Sequence, residues 1–141
     1  QVSREKVSLL QILEQIRRYM LQTLLPSARR VTIHVGGEDV IVSADCASSV
    51  ALVVNELVQN ALKYAFPSGQ AGRIGIELHS GRPLCQLTVW DNGVGFQADR
   101  PRPGGAGLEL ASTIVREKLT GEWSVESGPG GTRISFDFLE Q

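Results

Sequence analysis

The sequence predicts an α+β fold with three helices and about six strands. Three segments keep the three- and four-residue spacing of apolar side chains that is typical of amphipathic helices. Most segments between them alternate apolar and polar residues, as half-buried strands do. No internal repeat and no domain boundary interrupts this order. We therefore expect one domain over residues 8–141, with residues 1–7 as the tail of an upstream linker.

The first predicted helix runs from about Ser8 to Leu25 and ends before Pro26. Ser8 is a candidate N-cap, with Gln11 three residues later as in a capping box. The apolar residues of this segment are Leu9, Ile12, Leu13, Ile16, Met20 and Leu24. Their stripe is too short for sustained heptads, so we expect the helix to dock on its own domain.

Two strands are predicted after this helix. Arg30–Val35 alternates, and Val40–Val42 is a second short apolar run. The residues between them, Gly36–Asp39, have the composition of a turn, which predicts a hairpin.

The second and longest helix is predicted to end at about Ala65. Ser43 or Asp45 is its candidate N-cap, and a glycine- and proline-containing loop follows it. Its apolar stripe consists of Val50, Val53, Val54, Leu57 and Ala61.

Four further strands and a third helix complete the prediction. The strands are expected at Arg73–His79, Leu84–Trp90, Glu122–Glu126 and Thr132–Leu139. The helix contains Leu108, Leu110, Ile114, Val115 and Leu119 and is ended by Gly121. The stretch before it, from Gln97 to Gly105, is rich in Pro, Gly and Arg, which indicates a mobile loop.

Composition indicates an ordinary globular protein of 141 residues, 42% hydrophobic and 21% charged, with a net charge of −1. This length suffices to bury a core. A nearly neutral chain has no general electrostatic reason to bind nucleic acid or an anionic membrane. No run approaches the length that crosses a bilayer, and no signal peptide stands at the front. Because the chain begins with Gln1, we expect it to be a piece of a longer protein. No dimerising helix pair is evident in the sequence, so we expect this piece to be monomeric alone.

The cysteines and histidines carry no recognisable chemistry. Cys46 and Cys85 lack metal-ligand spacing, which favours buried thiols in a reduced cytoplasmic setting. His34 and His79 both lie in alternating segments, so we interpret them as ordinary strand residues.

The polar face of the second helix is the first candidate site. Glu56 and Asn60 lie one turn apart and point the same way, and Lys63 follows. A carboxylate can accept a proton or orient a nucleophile, and an amide oxygen suits a Mg²⁺ ion that also holds phosphates. Polar helix stripes are usually solvated surface, so this feature alone only suggests a nucleotide–metal site.

Two glycine-rich segments are the other candidates. In Asp91-Asn-Gly93-Val-Gly95, the glycines allow a sharp turn and a close approach to a planar ligand. Asp91 at the end of a strand can accept a hydrogen bond from the exocyclic amine of adenine, whereas guanine presents a carbonyl there. Gly105-Ala-Gly107-Leu108 precedes a helix, where backbone N–H groups favour phosphate. Neither segment fits a Walker loop or a Rossmann fingerprint.

In their order along the chain, these motifs resemble the GHKL or Bergerat-fold ATPases, which include gyrase B, MutL, heat-shock chaperones and sensor histidine kinases. The segment Asn55–Pro67 looks most like the catalytic domain of bacterial sensor histidine kinases, of a subfamily with a glutamate in this box and a short lid over ATP. The resemblance covers about Ser8 to Leu139. It implies a two-layer α/β sandwich, in which three helices lie on one face of a mixed, mostly antiparallel sheet.

The resemblance also implies roles for the phosphate side of the site. Asn60 would be the protein ligand of the Mg²⁺ that bridges the ATP phosphates, and Lys63 would contact phosphate. Gly105 and Gly107, with Leu108 beside them, would hinge the lid near the phosphates. Glu56 stands where gyrase-like relatives place a general base, and here it could polarise an acceptor histidine or a water.

Further roles follow for the base side of the site. Tyr64 would line the nucleotide pocket, and Asp91 would bind the adenine amino group. Thr132 would support that contact through water. Gly93 and Gly95 would shape the adenine pocket.

The implied function is ATP-dependent phosphorylation of a histidine on an upstream dimerisation domain, with transfer to a response regulator downstream. No phosphoacceptor segment is recognisable in this sequence, and neither His34 nor His79 can replace it; the full-length protein would be a homodimer. Two alternatives stay open: a serine kinase of the anti-sigma-factor type, which shares the fold and the glutamate, and a nucleotide-sensing module without chemistry.

Overall fold

A computed structural model describes residues 5–23, 30–81, 83–96 and 105–139, with only the backbone of residues 105 and 106. Its helices are α1 (Leu9–Thr23), α2 (Ala44–Tyr64) and α3 (Gly105–Glu117). Its strands are β1 (Lys6–Ser8), β2 (Val31–Gly37), β3 (Ile41–Ser43), β4 (Gly72–His79), β5 (Leu84–Asp91), β6 (Trp123–Gly128) and β7 (Gly131–Leu139). All three predicted helices and all six predicted strands are therefore present.

The sheet has five strands in the order β2-β4-β5-β7-β6. The β2–β4 pair is parallel and the other pairs are antiparallel. Among the sheet strands, α1 contacts β2, α2 contacts β5, and α3 contacts β6 and β7. The expected α+β sandwich with a mixed, mostly antiparallel sheet is confirmed.

The predicted hairpin between the first two strands is wrong. β2 pairs with β4 in parallel, and β3 pairs instead with β1 in a separate two-stranded sheet. The reason lies in Gly36 and Gly37, which continue β2 rather than forming a turn: Gly37 pairs with Leu78. Gly37 has a φ of +110°, and a Cβ atom there would stand 2.0 Å from the carbonyl oxygen of Leu78. Only glycine allows the strand to extend this far.

The start of the domain is also more structured than the sequence suggests. The first two residues of β1, Lys6 and Val7, belong to the segment expected to be a linker tail. They pair with β3 and are therefore part of the folded domain. Ser8 then caps α1 as predicted, since its Oγ accepts a hydrogen bond from the Gln11 N–H at 3.2 Å. The last described residue of α1 is Thr23; the predicted end at Leu25 lies outside the described residues.

The core lies between the helices and one face of the sheet. Ser43 caps α2, as its Oγ accepts from the Cys46 N–H at 3.1 Å. Both cysteines are buried and unpaired, as predicted, and burial raises the pKa of the Cys46 thiol to about 11. Neighbouring strands align the buried rows Ile76, Val89 and Ile134, and Leu78, Leu87 and Phe136.

The next row of the same face places polar groups at the end of the core. There Asp91 pairs with Ile74 on one side and with Thr132 on the other. Both polar residues are buried. Within the described ranges, no helix is long and apolar enough to span a membrane.

Candidate nucleotide-binding site

α2 carries the first part of the site. Asn60 is only 6% exposed although it belongs to the polar stripe, whereas Glu56 is half-buried and Lys63 is exposed. Asn60 is buried because α3 packs on α2, with Gly107 in the first turn of α3 lying against Asn60. The sequence pattern predicts the polar stripe of α2. The packing of α3 then determines which residue of that stripe is buried.

The first turn of α3 closes on this stripe. A Cβ atom added to Gly107 would stand 2.9 Å from Oε2 of Glu56 and 3.1 Å from Nδ2 of Asn60. The helix begins at Gly105, so the segment predicted to precede it forms its first turn instead. The N-terminal N–H groups of α3, which lack intrahelical partners, therefore lie beside Glu56 and Asn60.

The amide of Asn60 has an unmet hydrogen-bonding requirement. Its Nδ2 is buried and finds no partner among the described residues. A buried polar group left unpaired costs about 1–3 kcal/mol, and rotation of the amide by half a turn would present its oxygen instead. The position thus suits a phosphate oxygen or a metal ion bound to one.

A metal ion at this site would depend on the nucleotide for most of its ligands. The described residues contain no cluster of three or more His, Cys, Asp or Glu that could hold a metal. Mg²⁺ in nucleotide sites often takes few protein ligands beside the phosphates.

Asp91 ends β5 on the helix-facing side of the sheet. Its Oδ1 accepts a hydrogen bond from the Gly93 N–H at 2.9 Å, and its cross-strand neighbour is Thr132. The exposed fractions are 9% for Asp91 and 7% for Thr132. The predicted pair is therefore brought together by the β5–β7 register.

The glycine segment after Asp91 is held tightly between two parts of the fold. A Cβ at Gly93 would stand 2.3 Å from the carbonyl oxygen of Ala65, which also accepts from the Val94 N–H at 2.9 Å. Gly95 has a φ of +68°, and a Cβ there would stand 1.9 Å from the carbonyl oxygen of Gly128. Both glycines are required by close backbone approaches.

A cavity of about 320 Å³ opens between the end of α2 and this segment. Its lining is mainly apolar and aromatic, and consists of Lys63, Tyr64, Ala65, Pro67, Val94, Gly95, Phe96 and Thr132. A mainly apolar cavity with a few polar groups is typical of a small-ligand site, and its aromatic and aliphatic walls suit a planar base.

Three predicted residues line neighbouring cavities. Asp91 lines one of about 430 Å³ at the end of the sheet, and Thr132 lines both that cavity and the aromatic one. Glu56 lines a groove of about 490 Å³ between α1 and α2. The predicted lid, apart from its end at Gly105, lies outside the described residues.

Sequence reasoning missed two contributors. Phe96 lines the aromatic cavity, and Ser127 accepts a hydrogen bond from the Phe96 N–H at 2.8 Å. The Oγ of Ser127 also lies 2.7 Å from Oγ1 of Thr132. The signal for Ser127 was present, because a short turn between the last two predicted strands places it opposite Thr132.

Residues 46–141 match the family described as histidine kinase-, DNA gyrase B-, and HSP90-like ATPases. The chain therefore belongs to this ATP-binding family, and the predicted GHKL membership is confirmed.

Among individual relatives, the chain is 27% identical to the sensor histidine kinase PdtaS of Mycobacterium tuberculosis over 120 residues, which are 83% of this chain and 24% of that protein. It is 31% identical to the blue-light-activated histidine kinase 2 of Erythrobacter litoralis over 112 residues, which are 76% of this chain and 32% of the relative. The chain thus spans a third or less of these two relatives.

The solved histidine kinase domain of E. litoralis EL346 superposes with a TM-score of 0.81 at 25% identity, covering 94% of this chain and 65% of that one. The serine-protein kinase RsbW of Listeria innocua matches a smaller share of this chain: it is 28% identical over 89 residues, which are 52% of this chain and 57% of RsbW.

Proposed function

We propose that this chain is the ATP–Mg²⁺-binding catalytic domain of a two-component sensor histidine kinase. It would donate the γ-phosphoryl group of ATP to a histidine on an upstream dimerisation domain, and a response regulator would then receive the group. The observation that carries the proposal is the meeting of Gly107 with Glu56 and Asn60 on α2, whose last turn lines an aromatic cavity with Lys63 and Tyr64. This meeting provides a phosphate end and a base end within one site.

At the phosphate end, Asn60 would be the protein ligand of Mg²⁺, which neutralises phosphate charge when bound. The buried Nδ2 of its amide, which has no partner among the described residues, supports this role. Lys63 is exposed, lines the aromatic cavity and would contact phosphate. The backbone N–H groups at Gly105, Gly107 and Leu108 would bind phosphate oxygens at the N-terminus of α3.

At the base end, Asp91 would accept a hydrogen bond from the adenine amino group. A carboxylate oxygen has more than one acceptor position, so the bond from Gly93 is compatible with this role. Thr132 would reach the base through water, Tyr64 would pack against the nucleotide, and Gly93 and Gly95 would keep the wall of the pocket close.

Glu56 would act on the acceptor rather than on ATP. It is half-buried and approaches Gly107, and it also lines the groove between α1 and α2. A carboxylate in this place would orient an incoming imidazole and accept its proton.

Calorimetric titration of ATP with Mg²⁺, with GTP as the competing nucleotide, tests the binding site. We expect adenine-selective binding by the wild type and its loss in Asp91→Asn, with unfolding curves unchanged. Glu77→Gln is the matched control, since it removes a partly exposed carboxylate from β4. Absence of binding, or equal binding of GTP, would overturn the proposal.

The similarity to RsbW keeps a serine kinase as the second candidate. The chemical stability of the product separates the two, because phosphohistidine is hydrolysed in acid and phosphoserine is not. Transfer to a histidine of the full-length protein supports the histidine kinase, whereas an acid-stable product on a separate protein supports the serine kinase. Selective ATP binding without any transfer would indicate a sensing module.

A further inference from the structure

Ser127, at the end of β6, links two parts of the nucleotide pocket. It accepts a hydrogen bond from the Phe96 N–H at 2.8 Å and shares a second one with Thr132 at 2.7 Å. Phe96 and Thr132 both line the aromatic cavity. Ser127 does not line that cavity, but together with Asp91 and Thr132 it lines the neighbouring cavity at the end of the sheet. It would act on the base through Thr132.

We propose that Ser127 is a positioning residue for adenine selection, which fixes the hydroxyl group of Thr132 as a hydrogen-bond donor towards the base. The proposal rests on the proposed ATP site and deepens it. It assigns a direction to the hydrogen bond between the two hydroxyl groups.

The direction follows from the partners of Ser127. A backbone N–H can only donate, so the bond from Phe96 occupies Oγ of Ser127 as an acceptor. Oγ of Ser127 keeps a second acceptor position, but its hydroxyl hydrogen is not used by the bond from Phe96. The close acceptor for that hydrogen is Oγ1 of Thr132, at 2.7 Å. Because Thr132 accepts this bond, its own hydrogen turns away from Ser127 and is available to the two cavities that Thr132 lines.

A donor at this position distinguishes the two purines. In adenine, the ring nitrogen N1 beside the amino group is an acceptor, whereas in guanine it carries a hydrogen. Asp91 accepting from the amino group and Thr132 donating to N1, directly or through one water, match adenine at both atoms. Guanine would set its carbonyl against the carboxylate and its N1–H against the hydroxyl hydrogen. A mismatch of this kind leaves polar groups unpaired, which discriminates strongly.

The structure also holds Ser127 in place for this role. It lies opposite Thr132 in the β6–β7 ladder. The segment that donates to it is anchored at its other end by the bond from Val94 to Ala65. The position of the Phe96 N–H is therefore fixed on one side by the bond between Val94 and Ala65 and on the other by Ser127 itself.

The test compares Ser127→Ala and Ser127→Thr in the same domain. Ser127→Ala removes the hydroxyl group, while Ser127→Thr retains it on a residue that suits a strand. Ser124→Ala is the control, since it removes an exposed hydroxyl from the same strand. Affinities are measured calorimetrically for ATP, GTP and 1-deaza-ATP, which keeps the amino group but lacks the N1 acceptor.

We expect Ser127→Ala to weaken ATP binding about tenfold, the loss of one hydrogen bond of roughly 1.4 kcal/mol. Its affinity for 1-deaza-ATP should stay within about threefold of the wild-type value, because that ligand cannot use the donor. Ser127→Thr should restore ATP binding, and Ser124→Ala should not differ from the wild type.

Equal losses for ATP and 1-deaza-ATP would overturn the inference, because they would show that Ser127 only packs the pocket wall. Unchanged ATP affinity in Ser127→Ala would also overturn it while leaving the proposed function intact. If the wild type itself fails to prefer ATP over GTP, the inference about Ser127 and the proposed function are both overturned. The two failures are distinguishable, because the first is seen in Ser127→Ala and the second already in the wild type.

Discussion

Gly107 on α3 lies against Asn60 on α2, so closely that a Cβ atom on Gly107 would stand 3.1 Å from Nδ2 of Asn60. Glycine weakens a helix by about 1 kcal/mol relative to alanine. The chain nevertheless has glycine in the first turn of α3, where the helix faces the most buried polar side chain of α2. The position therefore serves the site rather than the stability of the helix.

Gly107→Ala should reduce ATP affinity about tenfold or more, an effect of roughly 1.4 kcal/mol, and should leave the midpoint of thermal unfolding nearly unchanged. The added methyl group displaces the ends of two side chains, Glu56 and Asn60, rather than backbone. The helix propensity of alanine offsets part of the crowding. Calorimetry and thermal unfolding measure the two effects separately.

Gly36→Ala is the control for this substitution, because no atom in the described part of the chain lies within 4 Å of a Cβ at that position. Wild-type ATP affinity in Gly107→Ala would show that the first turn of α3 does not contact the phosphates.

Gly95→Ala should destabilise the domain and weaken ATP binding. The left-handed conformation, with φ +68°, costs a non-glycine residue about 1–2 kcal/mol. The methyl group would also collide with the carbonyl oxygen of Gly128, at 1.9 Å. Since that oxygen belongs to backbone, the pocket wall itself must move.

Gly69→Ala carries the conformational cost alone, because Gly69 has nearly the same φ, +69°, and no atom of the described residues lies within 4 Å of a Cβ there. The difference between the two variants therefore measures the collision. Urea unfolding should show a larger loss of stability for Gly95→Ala than for Gly69→Ala. Equal losses would mean that conformation alone accounts for the requirement at Gly95.

The elements that the sequence predicts well are those whose signals are local. The α2 stripe, the Ser43 cap and the alternation in β4, β5 and β7 all depend on residues within one segment. The partner of β2 is different, because parallel pairing with β4 joins segments separated by the whole of α2. Gly36 and Gly37 have the composition of a turn, and only the position of Leu78 shows that they extend a strand.

The same distinction applies to the candidate site. Asn60 and Asp91 belong to motifs that can be recognised one at a time, whereas the burial of Asn60 depends on α3. The link from Ser127 to Phe96 joins residues 31 positions apart. Such a contact depends on the sheet register and on the path of the glycine segment, which no single motif encodes.

Asp39→Asn should lower the free energy of unfolding by about 1 kcal/mol at pH 7, because hydrogen bonds to an ionised acceptor are roughly twice as strong as those to a neutral one. Oδ2 of Asp39 accepts from the Ser8 hydroxyl at 2.6 Å, and Oδ1 accepts from the Leu10 N–H at 3.0 Å. Desolvation alone would raise the pKa of this carboxyl, but the hydrogen bonds from Ser8, Leu10 and Val40 together bring it below its ordinary value of 3.8.

The difference between wild type and Asp39→Asn should depend on pH in a defined direction. Because the pKa is lower in the folded state, the contribution of the carboxylate is present above about pH 4 and is lost as the pH falls through the folded-state pKa. Urea unfolding at pH 7 and at pH 3 measures this change. Glu38→Gln, an exposed neighbour, is the control, and a difference that does not vary with pH would contradict the electrostatic account.

Glu56→Gln should separate binding from phosphoryl transfer. The substitution keeps the size of the side chain and removes its charge, so the space beside Gly107 and Asn60 is preserved. ATP–Mg²⁺ affinity should stay within about threefold, because the amide cannot repel phosphate. The rate of γ-phosphoryl transfer to a histidine of the full-length protein should fall about 10²-fold, the usual contribution of a positioned base. Glu109→Gln, an exposed carboxylate on α3, is the matched control. Unchanged transfer with radiolabelled ATP would assign Glu56 to the groove between α1 and α2 alone, and equal losses of binding and transfer would make it a ligand of the nucleotide site.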